Sequence, residues 1–237
     1  ERVKSMPALL GEADLVKTLQ QLPGVAVGTE GMTGLYVRGG GADENLYLLD
    51  GNPVYHVNHL LGFFSAFNPD AIKNTRFYKG SFPAEYGGRL SSVVDVRMND
   101  GNRQEYHGNI SVGLLSARAN LEGPIVKDRS SFNVSVRRTW LDLITGTALA
   151  VVNKNSSIKD VFGYHFFDIN AKLNHSFSDR SRAYLSFYMG QDAFRQGSKE
   201  KNGDSEDMFL WRWGNLIGSA GWNYVFGQKL FGNLMVG

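Results

Sequence analysis

From about residue 104 onward, apolar and polar side chains alternate one for one over long spans. In SFNVSVRRTWLDL, Phe132, Val134, Val136 and Trp140 fall on one face, and Asn133, Ser135, Arg137 and Thr139 on the other. In FFDINAKLNHSF, Phe167, Ile169, Ala171, Leu173 and Phe177 oppose Asp168, Asn170, Lys172, Asn174 and Ser176. RAYLSFYMG groups Ala183, Leu185, Phe187 and Met189, and GSAGWNYVF groups Ala220, Trp222, Tyr224 and Phe226. A period of two is the mark of a strand with one apolar face. That face packs on a soluble core, as in an antiparallel β-sandwich, or meets lipid. The spans reach about 9–11 residues or more, against about 5–6 in soluble sheets. The opposite face is as polar as a water-filled lumen. Trp140, Phe166, Phe177, Trp211, Trp213, Trp222 and Tyr224 lie near strand ends, where an interfacial girdle would need them. The pattern favours a membrane β-barrel.

Connection lengths agree. VKDRS, SDRS and GQK are short, whereas 144–165 and 195–208 are long. Outer-membrane barrels have short periplasmic turns and long external loops. In YHGNISVGLLSARANLEGP the apolar parity flips between Leu114 and Ala117, which fits a tight hairpin, with a bulge as the alternative. With the hairpin, the short turns fall on one side and the long loops on the other, giving about seven strands. Seven strands cannot close a wide barrel.

Bulk properties narrow the classes. The 237 residues suit one or two domains, and 28 glycines with 12% aromatics lean towards β structure. A net charge of +2 argues for no nucleic-acid partner. Without cysteine there is neither a disulfide framework nor a thiolate metal site. No run of about 18 apolar residues suggests a membrane helix. ERVKSMP at the start and FGNLMVG at the end suggest a piece of a longer protein.

Residues 1–103 read differently, as a small α+β unit. GEADLVKTLQQLPGV predicts a short helix with Leu15, Leu19 and Leu22 on one face, Asp14 near its start and Pro23-Gly24 ending it. GLYVRG, NLYLLDG and LSSVVDVRM predict strands. PDAIKNTRFYKG predicts a helical turn over Pro69–Ile72 and then a strand through Phe77. The three glycines in VRGGGADENLYLLDG have neither GxGxxG spacing nor GK[ST], and a strand follows, so a phosphate cradle is excluded. Positive φ and close backbone approach account for them. There is no GxSxG. Asp43, Glu44 and Asp50 are not a glycosidase pair, since Asp50 sits in a DG turn. His56 and His59 lack nearby acids in the sequence and read as hydrogen-bonding groups rather than metal ligands. No catalytic residue, metal or cofactor is expected.

The order LPGV, YVRGGG, LYLLDGNPVY and NPDAIKNTRFYKGSFPAEYGGRLSSVVDV resembles the plug domain of TonB-dependent outer-membrane receptors. EGPIVKD followed by SFNVSVRRTW resembles the first periplasmic turn and next strand of their barrels. LYVRGGG and FPAEYGGRLSSVVDV are most like the branch with an upstream carboxypeptidase-like regulatory domain. The resemblance implies a plug over 1–103 lying in the lumen, and over 104–237 the N-terminal strands of a transmembrane β-barrel of roughly 22 strands. It implies energy-driven import of a scarce ligand (siderophore, cobalamin, glycan or peptide) across a Gram-negative outer membrane, with the plug termini towards the periplasm. The alternatives are a ligand-sensing signalling receptor and a structural component of a larger outer-membrane assembly. TonB would act through a box upstream of Glu1. Outer-membrane lipid, a surface lipoprotein and other outer-membrane subunits are further candidate partners. The plug loops 27–34, 40–44 and 55–67 would meet the ligand through Glu30, Asp43, Tyr55, His56, Asn58 and His59. Phe63, Phe64 and Phe67 are candidates for stacking or for packing. Many relatives have arginine before the YG where this chain has Glu85. Arg38 and Arg89 are the candidate plug cations for a latch to glutamates on the inner barrel wall.

Overall fold

The computed structural model describes residues 13–28, 32–200 and 206–237. α1 (Leu15–Gln20) starts where expected. Asp14 holds extended backbone and accepts from the Lys17 amide at 3.1 Å, which satisfies one of the free donors of the first turn. Leu15, Val16 and Leu19 are buried, and Gly24 turns the chain at a φ of 79°.

β1 (Val25–Ala26) pairs with β2 (Tyr36–Val37). β3 (Asn45–Leu49) and β4 (Asn52–Pro53) form a hairpin across Asp50-Gly51, both at positive φ, the conformation that a two-residue turn of this hand requires. β5 (Asn58–His59) pairs with β6 (Phe64–Ser65), and β7 (Ile72–Tyr78) with β8 (Ser92–Met98). β3 and β8 are parallel, so the main sheet runs β4-β3-β8-β7. Its core is Leu15, Leu35, Val37, Tyr47, Leu49, Val94, Val96 and Met98. The helical turn expected over Pro69–Ile72 does not form. Asn68 makes a tight turn instead, accepting from Asp70 through its side chain and from Ala71 through its carbonyl, and the strand begins at Ile72. Of the glycine triplet, Gly39 takes a φ of 86°, and a Cβ on Gly40 would lie 2.5 Å from the Ser91 hydroxyl.

The second sheet is a meander of seven antiparallel strands, each beside its sequence neighbour. They are β9 (His107–Val112), β10 (Ser116–Val126), β11 (Ser130–Thr139), β12 (Ile158–Ser178), β13 (Ser181–Glu200), β14 (Glu206–Val225) and β15 (Phe231–Val236). The parity flip is a hairpin, with Ala117 opposite Val112. Two connections differ from expectation. The segment 144–165 opens with a helix, α2 (Leu141–Val152), and strand resumes at Ile158. Most of 195–208 is strand, because β13 and β14 stay in register out to Lys199 and Glu206. β12, β13 and β14 therefore have 21, 20 and 20 residues.

The apolar face of this sheet points away from the protein. On β11, Val134 and Val136 are 38% and 43% exposed, while Asn133, Ser135 and Arg137 between and beside them are at most 2% exposed. Ile110, Leu121, Leu173, Leu185 and Leu216 are likewise exposed. A soluble sandwich would do the reverse. On β12 the outward apolar residues run from Phe167 to Phe177, roughly 33 Å of strand, or about 25 Å of bilayer at the usual tilt. Phe177, Trp222 and Tyr224 keep their place at the turn-side rim, Trp222 touching Tyr224. Phe166, Trp211 and Trp213 do not belong to the girdle. Phe166 shares parity with Asp168 and is buried on the inner face, and Trp211 and Trp213 share parity with Asn215, which bonds the first unit.

Candidate functional site

The α+β unit lies on the polar face of the long sheet, and the junction is built mainly from charged and hydrogen-bonding side chains, with Phe64 packed on Phe166 and Tyr164. At its centre is His59 on β5, 2% exposed. Its Nε2 lies 2.8 Å from Asp168 Oδ1 on β12, and its Nδ1 contacts Asp192 on β13. Arg137 on β11 grips the other Asp168 oxygen at 2.5 Å and 2.7 Å and donates to the Ser65 carbonyl at 2.8 Å. The Tyr188 hydroxyl donates to Asp168 at 3.1 Å, and that of Tyr164 to Asp192 at 2.5 Å. The His59 ring stacks on Phe166 with centroids 4.4 Å apart. Burial opposes a charge on this imidazole. The Asp168 charge and the hydrogen bonds from Asp168 and Asp192 outweigh burial and an opposing Arg137, pushing the His59 pKa up to about 9. His59 is thus an imidazolium shared by two carboxylates.

Further contacts flank this centre. Lys172 on β12 reaches Asp50 at 3.2 Å and Asp100 at 3.1 Å. Burial raises the Asp100 carboxyl, but Lys73 and Lys172 hold it below the usual range. Arg118 on β10 pairs with Asp70 at 2.7 Å. Asn68 donates to Ser135, Asn52 to Ser219, and Asn215 to the His56 carbonyl. Gly101, at a φ of 80°, lies so near the sheet that a Cβ there would sit 2.1 Å from the Phe132 carbonyl.

The residues expected to meet a ligand divide. Tyr55, His56 and Asp43 are exposed, Tyr55 at 76%. Asn58 is half-buried and accepts from the Thr33 hydroxyl. His59 is instead withdrawn from the loop surface, because two aspartates and a phenyl ring enclose it. Glu30 lies outside the described residues. No hydrogen bond or ring contact among the described residues joins Asp43 to the 55–59 group. Phe64 and Phe67 pack inside, and Phe63 is partly exposed. Arg38 and Arg89 are both exposed, Arg38 beside Gly80 and Arg89 on the Gly88 carbonyl, and neither forms an ion pair with a described residue of the long sheet. The observed ion pairs run both ways: His59 of the first unit meets Asp168 and Asp192 of the sheet, whereas Arg118, Arg137 and Lys172 lie on the sheet and bind acids or a carbonyl of the first unit. Their signal was in the sequence, since each is a cation on the polar parity of a long strand. Both His59 ring nitrogens are taken, and no group of three or more His, Asp or Glu among the described residues is set to hold a metal ion.

Residues 5–94 match the TonB-dependent Receptor Plug Domain family. No curated protein matches the sequence. The fold is similar to that of the siderophore receptor PirA from Acinetobacter baumannii (TM-score 0.53, 15% identity, 99% of this chain and 42% of that one). It is also similar to the ferric enterobactin receptor PfeA (0.50, 16%, 94% and 42%) and the outer membrane transporter YddB from Escherichia coli (0.50, 12%, 94% and 43%). The chain thus spans 42–43% of the length of these structures, and at such identities the likeness is one of fold. Residues 5–94 are thus a TonB-dependent receptor plug domain, docked on the polar face of a sheet whose other face is apolar.

Proposed function

We propose that the protein imports a scarce ligand across the outer membrane of a Gram-negative bacterium, with residues 1–103 as the plug and 104–237 as the first part of the barrel wall. The single observation that carries this is the junction between the two parts. It is held mainly by charge and hydrogen bonds, with a small apolar cluster of Phe64 against Tyr164 and Phe166, so it is tight when complete and gives way once a few contacts are broken. Such a stopper suits a channel opened by an external pull, and TonB is the partner the family implies. The long-loop side is then the outside, and the plug termini face the periplasm. Tyr55, His56, Asn58 and Asp43 remain the candidate ligand contacts, and Arg38 and Arg89 the candidate cations for wall strands beyond this chain. Siderophore, cobalamin, glycan and peptide are all compatible with a mixed polar and aromatic loop.

The test is growth of a deletion strain with each ligand class in turn as the limiting nutrient. One class should fail to support growth unless the gene and TonB are both present. Normal growth on every class refutes import. Tyr55→Ala with His56→Ala should weaken ligand binding by about tenfold or more, as loss of two buried contacts does. Unchanged binding would remove these loops from the site.

A further inference from the structure

Above the apolar band, the outward face of the wall turns basic on four consecutive strands. On β11, Val136 is followed by Arg138, and on β12, Phe167 by His165. On β13, Met189 is followed by Gln191, Ala193 and Arg195, and on β14, Leu216 by Gly214 and Arg212. Register brings these together: Arg138 is opposite Phe167, and Ala193 is opposite both His165 and Arg212. Arg195 and Arg212 are diagonal neighbours. The carboxylate that meets this collar is Asp142 of α2, 2.7 Å from Arg138 and 3.7 Å from His165. Arg195, Arg212, Lys154 and Lys159 are exposed and form no ion pair among the described residues.

α2 leans over the collar. Its Asn153 extension exchanges two hydrogen bonds with the Asp160 backbone, closing the edge of β12 beyond the end of β11. Between helix and sheet lies a cavity of about 490 Å³ in which the cations Lys154, Lys159, Arg195 and Lys199 outnumber the acids Asp142 and Asp160 that also line it. Leu143, Ile144, Val151 and Val152 of α2 are exposed. Cations placed at the rim of a hydrocarbon-facing band sit at headgroup depth, and guanidinium forks suit phosphate oxygens. The collar is continuous with the apolar face below it, so a ligand filling both needs an anionic head and hydrocarbon chains.

We infer that the collar and the cavity under α2 bind the phosphate head of an anionic lipid in the leaflet on the long-loop side, its acyl chains lying along the outward band. This rests on the reading of that band as lipid-facing.

Native mass spectrometry of the full-length receptor in neutral detergent tests it, with phosphatidic acid or phosphatidylcholine of identical chains added. The receptor should retain phosphatidic acid at least about tenfold more strongly. Lys159→Gln with Arg195→Gln and Arg212→Gln should abolish the preference while the barrel keeps its heat-modifiable gel mobility. Should the triple variant fail to fold, Arg195→Gln and Arg212→Gln singly should each reduce it. Equal retention of both lipids, or a preference that survives in the folded variants, overturns the inference. So does full displacement by millimolar inorganic phosphate, which would mean an anion site, or retention of a protein in place of lipid. A receptor that needs no detergent refutes the lipid-facing band itself, a separate failure.

Discussion

His59 carries its charge because Asp168 and Asp192 face it from β12 and β13, with Arg137 on β11 and the Tyr164 and Tyr188 hydroxyls completing the shell. Its folded pKa of about 9 lies above the ordinary 6.5. A group whose pKa rises on folding stabilises fully below its unfolded pKa and loses that contribution as pH climbs through the folded value. Plug docking should therefore weaken between about pH 6.5 and pH 9. Thermal unfolding of the receptor and of His59→Gln should differ most at pH 6 and converge by pH 10; a gap independent of pH would mean a neutral ring. At pH 7 the same substitution leaves two buried carboxylates for one guanidinium and should cost about 3–5 kcal/mol in denaturant titration. The sequence marked His59 as notable but suggested an exposed loop. Its partners lie 109 and 133 residues away, and nothing local to the YHVNH stretch announces them. Parity did announce that Arg137, Asp168 and Lys172 face inward; it could not say which plug residue each would meet.

At the scale of the element, strand alternation was the most legible feature, because a strict period of two survives any register. It predicted the sheet, its outward apolar face and the hairpin before β10. It did not reveal how far β12, β13 and β14 continue past the bilayer, since residues such as Ser198 and Lys199 carry turn chemistry yet pair as strand. α2 was hidden for a related reason: its apolar run LDLITGTALAVV has no clear polar stripe and reads as loop between two strands. Val134→Arg places a cation in the middle of the outward band and should destabilise the barrel by about 2–4 kcal/mol in unfolding from liposomes. An unaffected midpoint would put that face out of lipid. Gly101→Val should force the plug–wall joint apart, since even one methyl would collide with the Phe132 carbonyl. Its expected sign is faster proteolysis of the plug, with the barrel's gel mobility unchanged.

Over the whole molecule, the plug touches wall strands from β10 to β14, so the proposed import would need the plug to shift against many strands at once. Asn52 and Ser219 join the two parts with their polar atoms 2.5 Å apart. Asn52→Cys with Ser219→Cys should lock them under oxidising conditions, abolishing uptake while leaving ligand binding intact, and reductant should restore uptake. Transport that persists through the locked state would show that the plug need not move here. A second consequence lies in where the chain crosses from plug to wall. β8 is flanked by β3 and β7, and within a few residues its continuation is stitched to β10, β11 and β12 through Asn99 and Asp100. A tug at the amino end would then unravel α1 and the small β1–β2 pair first and reach β8 last. The yarn stays tied to its post, and once the tension drops it has a fixed end on which to wind itself back.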